Sequence, residues 1–352
     1  MKKRNYLAVT TAALMLAAAV LSGCGMQQAS GSTSGDTPDA VSSTESSVTE
    51  ALTDSDVTVR IGSLKGPTTM GLVNLMKETA DGRAKGNYTF TMETQPDILM
   101  AEMVNGNLDI ALIPANMASV LYHKTDGGVS VIDINTLGVL ECVTGNGDVH
   151  SVKDLSGKTV ITTGQGATPE YALNYLLKEN GVTDCTLEFK SEATEIAAEL
   201  AKDPQQIAVL PQPFATVALM QNENLKSAFS LTQEWDALSN GSRLLTGVTV
   251  VSRAFLKAHP DAVNTFVQEH SKSAELADSD VKGTAELVAE YGIIEKAAVA
   301  QKAIPSCNIV CITADEMKTT LEGYLRVLYE QNPKSVGGEL PGNDFYEIEQ
   351  VK

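Results

Sequence analysis

Two stretches of this chain, residues 108–120 and 205–217, follow the same residue pattern. Their sequences are LDIALIPANMASV and QQIAVLPQPFATV, and they align without a gap. The shared positions are Ile110 with Ile207, Ala111 with Ala208, Pro114 with Pro211, Ala118 with Ala215, and Val120 with Val217. Each stretch is an apolar run that stops at proline and turns at once into a helix-like segment, as expected of a strand covered on both faces. A unit that occurs twice in this way predicts two similar α/β halves.

A glycine-rich turn between a strand and a helix also occurs twice. Residues 60–76 (RIGSLKGPTTMGLVNLM) and 159–177 (TVITTGQGATPEYALNYLL) both have this arrangement, and helical spacing predicts a helix over residues 68–80. Strands and helices alternate from residue 57 to about residue 250, and the pattern after residue 253 is mostly helical. Such alternation predicts parallel-rich sheets with helices on both faces. We therefore predict an α/β protein with two lobes and a mostly helical C-terminal part.

Each predicted lobe has two corners at which a strand ends and a helix begins. In open α/β sheets, ligands bind beyond the carboxyl ends of the strands. The first turn of a helix presents free N–H groups and a partial positive charge, and a glycine-rich turn lets a ligand approach that backbone closely. The sequence therefore predicts a ligand-binding cleft lined by residues of both lobes: Lys65, Gly66, Thr68, Thr69, Asn116, Gly164, Gln165, Gly166, Thr168, Tyr171 and Gln212.

Several of these residues also have a purely structural interpretation. A threonine at the start of a helix is often an N-cap, a role that needs no ligand. Lys65 is either a counter-charge for an anion or a solvated surface residue. Tyr171 is the aromatic residue that we expect to contact a ligand, whereas the single tryptophan, Trp235, is expected in the core.

The N-terminus predicts export and a membrane anchor. Residues 1–23 have a basic start, an apolar run and small residues before Cys24, which is the pattern of a secretory signal peptide. The sequence LSGC (21–24) resembles the lipobox of bacterial lipoproteins, in which the cysteine is lipidated and becomes the new N-terminus. Residues 24–54 then form the lipidated cysteine and a polar, acidic tether without aromatic residues, which we expect to be disordered. The predicted location is the extracytoplasmic face of the cell membrane.

Composition and residue spacing argue against several classes of function. The formal net charge of −18 makes nucleic acid a poor partner. The histidines, at positions 123, 150, 259 and 270, show no metal-ligand spacing, and none stands with a cysteine or serine in a nucleophile motif. The glycine-rich turns match neither a P-loop nor a dinucleotide fingerprint. We expect a monomer with no catalytic residues, no metal and no cofactor.

The remaining cysteines, Cys142, Cys185, Cys307 and Cys311, show no disulfide framework, and their redox state stays open. Cys307 and Cys311 stand four positions apart, with no histidine nearby in the sequence. Small buried side chains are therefore a better interpretation of this pair than a metal site.

Four segments together resemble a known family. They are residues 59–73, 106–122, 149–182 and 207–219, and the likeness runs from about residue 55 to residue 346. They resemble the nitrate/sulfonate/taurine and thiamine-pyrimidine group of ABC-transporter solute-binding lipoproteins. The most specific portion is D-L-x-G-K-x-V (154–160), followed by the glycine turn, a helix and L-x-x-x-G (177–181).

This resemblance implies the type II periplasmic-binding-protein fold, with two α/β lobes joined by two hinge crossings near residues 142–147 and 241–248. It implies that residues 55–143 and 247–352 form one lobe and that residues 144–246 form the other. It also implies closure on a small-molecule solute and delivery of that solute to an ABC permease and its ATPase in the membrane.

Two other functions stay open at this point. Relatives of the same fold include enzymes of pyrimidine and quinone biosynthesis, although an export signal argues against a cytoplasmic pathway. The other is a sensory or adhesion lipoprotein that kept the fold, which a missing neighbouring permease gene would favour. The solute is also open: Lys65 and the helix N-termini favour a sulfonate or carboxylate, and the aromatic content of 5% disfavours an aromatic heterocycle.

Overall fold

Two mixed sheets flanked by helices make up residues 57–347, the part of the chain that this computed structural model describes. The predicted signal peptide, Cys24 and the tether lie outside the described residues. None of the helices in the described part combines the length and the hydrophobicity that crossing a bilayer requires.

The strands fall into a six-stranded and a five-stranded sheet. The first sheet contains β1 (Thr58–Leu64), β2 (Asn87–Glu93), β3 (Ile110–Pro114), β4 (Val129–Leu137), β10 (Leu245–Ser252) and β11 (Ile309–Ile312). The second contains β5 (Leu140–Thr144), β6 (Thr159–Thr162), β7 (Thr186–Phe189), β8 (Ile207–Pro211) and β9 (Lys226–Ser230). The chain therefore passes to the second sheet at residues 138–139, a few residues before the predicted crossing, and has returned by Leu245.

Helices follow most of the strands and cover the sheets. They are α1 (Pro67–Met70), α2 (Val73–Ala80), α3 (Pro96–Val104), α4 (Ala115–Lys124), α5 (Thr168–Glu179), α6 (Ala193–Lys202), α7 (Phe214–Gln221), α8 (Leu231–Ala237), α9 (Arg253–Ala258), α10 (Pro260–Ser279), α11 (Val281–Glu290), α12 (Ala297–Ala303) and α13 (Ala314–Gln331). The predicted mostly helical part after residue 253 is confirmed, although it also contains β11, which we did not predict.

The two sheets share one arrangement of strands. The first reads β2-β1-β3-β10 from its edge and the second reads β7-β6-β8-β5. In each, the first three strands are parallel and the fourth pairs antiparallel with the third. The repeated segments of the sequence are β3 with α4 and β8 with α7, so they occupy equivalent positions. The predicted internal repeat is confirmed.

The hydrophobic core explains why these strands lie at the centre of each sheet. The first four residues of β3 and of β8 are buried, which fits their continuous apolar sequence. One cluster of buried residues contains members of both sheets together with α5, α8 and α13. Burying a Leu or Ile side chain contributes about 1.5–3 kcal/mol, so this shared cluster holds the two sheets together.

One predicted helix is divided in two. The expected helix over residues 68–80 is interrupted after Met70, and α2 begins only at Val73. Gly71 lies at the interruption, where a Cβ would come within 3.0 Å of the Ile309 side chain. Close packing against β11 therefore accompanies the break, and helical periodicity alone does not reveal such a distant contact.

Candidate ligand-binding site

The four predicted corners lie at the carboxyl ends of β1, β3, β6 and β8. These strands are equivalent in pairs, since β1 corresponds to β6 and β3 corresponds to β8 in the shared arrangement. We call them the first (65–69), second (114–116), third (164–168) and fourth (211–213) corner, in chain order.

The first corner has the expected glycine turn but not the expected helix cap. Gly66 has φ of 137°, a conformation that L side chains rarely adopt, and it precedes Pro67 at the start of α1. The hydroxyl of Thr68 donates to the Leu64 carbonyl oxygen at 2.7 Å, and that of Thr69 lies 2.6 Å from the same oxygen. Both threonines are buried inside α1 and fasten it to the end of β1, so the interpretation as N-caps is wrong for them.

The exposed part of the first corner is Lys65. Its side chain makes no ion pair within residues 57–347, although its backbone N–H donates to the Glu93 carbonyl oxygen. Helix α1 is only one turn long, so its dipole is small compared with that of a full helix. The positive charge at this corner therefore comes mainly from the Lys65 ammonium group.

The second corner points one candidate side chain toward the C-terminal part of the chain. Asn116 lies in the first turn of α4, directly after Pro114 ends β3. Its amide Nδ2 donates to the Ser335 carbonyl oxygen at 3.2 Å, and the side chain is half-buried. Residues 333–336 form a short 3₁₀ turn after α13, so Asn116 links α4 to that turn.

The third corner contains a negatively charged side chain that the sequence reasoning did not include. Gly164 and Gly166 both have positive φ, and Gln165 between them is exposed. The Gly166 N–H donates to a carboxylate oxygen of Glu170, in the first turn of α5, at 2.5 Å. An anion arriving at this N–H would have to displace Glu170 and would experience its charge.

Thr168 and Tyr171 connect the third corner to α13. Thr168 is the first residue of α5 and Ala167 is the N-cap, so the cap interpretation is wrong here too. The hydroxyl of Thr168 lies 3.3 Å from that of Tyr324, for which burial raises the pKa to about 12. The Tyr171 hydroxyl accepts from Asn332 Nδ2 at 3.0 Å. Tyr171, which we expected to contact a ligand, is thus already hydrogen-bonded to the segment that follows α13.

The fourth corner borders a cavity of about 360 Å³. Gln212 is buried, and its Oε1 accepts from the Thr216 hydroxyl at 2.8 Å. Across the cavity lie Lys302 and Ser306, from the segment that includes α12 and packs against α7. The carboxyl group of Glu141 also lines it, and burial raises the pKa of that group.

Five of the candidate side chains fall into two sets. Asn116, Thr168 and Tyr171 all bond to residues 324–335, which form the end of α13 and the turn after it. The side chains of Lys65 and Gln165 are exposed, and no contact in the described residues joins them to each other. The sequence reasoning missed residues 324–335, because an amphipathic helix carries no signal for the partner on which it packs.

One family model and several solved structures match this chain. Residues 127–280 match the family model described as NMT1/THI5 like. The matched segment runs from the start of β4 to the end of α10 and so contains the whole second sheet. No curated protein matches the chain.

Solved structures share the fold over most of their length. An ABC transporter from Parabacteroides distasonis has a TM-score of 0.72 and 23% identity, covering 84% of this chain and 100% of its own. The periplasmic aliphatic sulphonate binding protein from Escherichia coli has a TM-score of 0.64 and 14% identity, covering 81% and 97%. The alkanesulfonate-binding protein from Xanthomonas axonopodis pv. citri, bound to MOPS, has a TM-score of 0.57 and 16% identity, covering 81% and 94%.

These likenesses confirm the predicted type II periplasmic-binding-protein fold. The family match over residues 127–280 and these structures agree with the predicted resemblance to ABC-transporter solute-binding proteins. They compare whole folds, so the individual site residues stay predictions.

Proposed function

We propose that this chain is the extracytoplasmic solute-binding component of an ABC importer. It closes on a small polar or anionic organic solute and delivers it to a membrane permease with its ATPase. The observation that carries the proposal is the pair of equivalent sheets, each of which has two strand-to-helix corners at the carboxyl ends of parallel strands. Ligands of α/β proteins bind at this end of a sheet.

The charges at the corners support an orientation for the solute. Lys65 is exposed at the first corner, whereas Glu170 occupies the Gly166 N–H at the third. A sulfonate or carboxylate group is therefore expected beside Lys65, and a neutral or positively charged part of the solute beside Glu170. The sulphonate-binding and alkanesulfonate-binding proteins of the same fold support this solute class.

Closure follows from a population shift between open and closed arrangements of the two lobes. We keep the proposed lobes at residues 55–143 with 247–352 and residues 144–246. The division into two sheets supports them except at residues 140–143, which the proposal assigns to the first lobe although they belong to β5 of the second sheet. The buried cluster shared by both sheets and α13 favours a small hinge movement over a wide separation.

The proposed location is the outer face of the cell membrane, with Cys24 carrying the lipid and residues 25–54 giving the folded part reach. Support for it comes from the sequence of residues 1–24. The proposal includes a monomeric binding protein, since the four corners of one chain suffice for the cleft.

The decisive experiment identifies the solute and separates binding from catalysis. Small molecules that co-purify with the chain are identified by mass spectrometry, and a thermal-shift screen then compares sulfonates, carboxylates and pyrimidines. A solute at 100 times its Kd stabilises the folded state by about 2.7 kcal/mol, which the screen detects.

The expected result is saturable binding of one solute with no chemical change. Steady formation of a product from that solute would favour the enzyme of the same fold. Stabilisation by none of the three solute classes would reject the solute assignment.

A further inference from the structure

Three potential metal ligands from distant parts of the chain meet beside β11. They are Asp133 on β4, His270 on α10 and Cys311 on β11. One ring nitrogen, one carboxylate oxygen and the Cys311 sulfur all lie within 4.8 Å of one another. The side chains of Asp133 and His270 are fully buried, and Cys311 is half-buried.

The imidazole of His270 is held in place but not fully satisfied. Its Nδ1 lies 3.2 Å from Asp133 Oδ2, and the other carboxylate oxygen accepts from the Thr249 hydroxyl at 2.7 Å. Its Nε2 is buried and has no hydrogen-bond partner in the described residues. Nε2 therefore lacks the hydrogen-bond partner that a buried polar atom in a protein normally has.

An ion can reach this cluster from one side. Cys311 lines a cavity of about 430 Å³ between α10 and β11, together with Ser271 and Asn308. The cavity is open to solvent, so the fourth position of a tetrahedral site would face it. Gly71 lies beside the imidazole ring, since a Cβ there would be 3.6 Å from His270 Nε2.

We propose that Asp133, His270 and Cys311 bind one divalent ion of the zinc class. Thiolate, imidazole and carboxylate are the ligand types that Zn²⁺ takes in proteins, at about 2.0–2.3 Å, so tetrahedral ligand atoms lie roughly 3.3–3.7 Å apart. The three groups therefore need to contract by about 1 Å, which side-chain rotation can supply. The ion would join β4, β11 and α10 directly behind the first corner, which ends two residues before Gly71.

The test uses Co²⁺ as a spectroscopic probe and Zn²⁺ as its competitor. The purified full chain is reduced and titrated with Co²⁺, and the thiolate-to-metal charge-transfer band is recorded. Cys311→Ser removes the thiolate with little change of volume. Cys307→Ser is the matched control, because Cys307 is a buried thiol four residues earlier that is not part of the cluster.

We expect one equivalent of Co²⁺ to produce the band in the wild-type chain and in Cys307→Ser, and Zn²⁺ to abolish it. Cys311→Ser should lose the band and bind Zn²⁺ at least tenfold more weakly. Circular dichroism shows whether His270→Gln folds. A folded His270→Gln should lose the band as Cys311→Ser does. If His270→Gln is unfolded, the result for Cys311→Ser decides. Absence of the band in the wild-type chain, or its persistence in Cys311→Ser, would overturn the proposal.

Discussion

The hydrogen bond between Tyr171 and Asn332 offers a direct test of how α5 is joined to the segment that follows α13. Tyr171 lies on α5, which follows the third corner, and Asn332 follows α13, which packs against β4 of the first sheet. Tyr171→Phe removes only the hydroxyl that accepts from Asn332 Nδ2 at 3.0 Å. Asn332 keeps its second contact, in which Oδ1 accepts from the Lys334 N–H at 3.1 Å.

The expected effect is modest because the bond is neutral and Asn332 is half-buried. A neutral hydrogen bond contributes about 0.5–1.5 kcal/mol net, and water can reach the freed Nδ2 and recover part of that. Asn332→Ala removes the same bond and also the contact to Lys334. A double-mutant cycle of Tyr171→Phe and Asn332→Ala should give a coupling energy of about 0.5–1 kcal/mol, because the two variants remove the same bond.

Urea unfolding measures these free energies, with the fluorescence of Trp235 as the signal. Trp235 is the single tryptophan, is fully buried, and lies 6.0 Å from Tyr324 on α13 between ring centroids. Tyr122→Phe is the matched control. The Tyr122 hydroxyl donates to Asp344 Oδ1 at 2.7 Å and makes no hydrogen bond to Asn332. Its coupling to Asn332→Ala should be zero within error.

A coupling energy below about 0.2 kcal/mol for Tyr171 and Asn332, with equal m-values, would show that their hydrogen bond does not stabilise the folded state. If closure brings these residues together, Tyr171→Phe should also lower the affinity for the solute about 2–12-fold, since 0.5–1.5 kcal/mol is lost from the closed state alone.

Three further predictions concern the site and the anchor. Asn116→Ala and Gln165→Ala should each weaken solute binding about 3–10-fold in calorimetric titration, with little loss of stability for Gln165→Ala and a loss of about 0.5–1.5 kcal/mol for Asn116→Ala, which also removes the bond to Ser335; unchanged affinity in both would reject the cleft. Glu170→Gln should lower the affinity for a solute with a positively charged end about fivefold, since an attractive charge about 4 Å away is removed; a higher affinity for an anionic solute would show that its anionic group binds at Gly166 and not beside Lys65. Cys24→Ser should move the protein from the membrane to the soluble fraction on cell fractionation, and unchanged membrane retention would argue against the lipid anchor.

The sequence was sufficient for the strand and helix pairs that are repeated. Local periodicity and the proline and glycine positions define β3 with α4 and β8 with α7, and the structure confirms both pairs at equivalent places. The core position of Trp235 was also predicted correctly, because a single large aromatic residue in an apolar context gains most from burial.

The sequence was insufficient where a side chain could choose between several nearby partners, and where a residue depends on a distant one. The threonines at the first corner look like caps, but Thr68 and Thr69 bond to the end of β1 instead. The helix expected over residues 68–80 breaks beside Ile309, which is far away in the sequence. Glu170 was not included among the site residues, although its carboxylate takes the Gly166 N–H.

The sequence alone predicts most of the strands and helices, the doubled α/β plan and the four corners, because these follow from patterns within one or two dozen residues. Only the tertiary structure decided that residues 324–335 contact corners of both sheets, and that His270 meets Asp133 and Cys311. Residues 137 positions apart, such as Asp133 and His270, are brought together by the packing of α10 on the first sheet. No local spacing in the chain specifies that meeting, since it depends on the whole hydrophobic core forming at once.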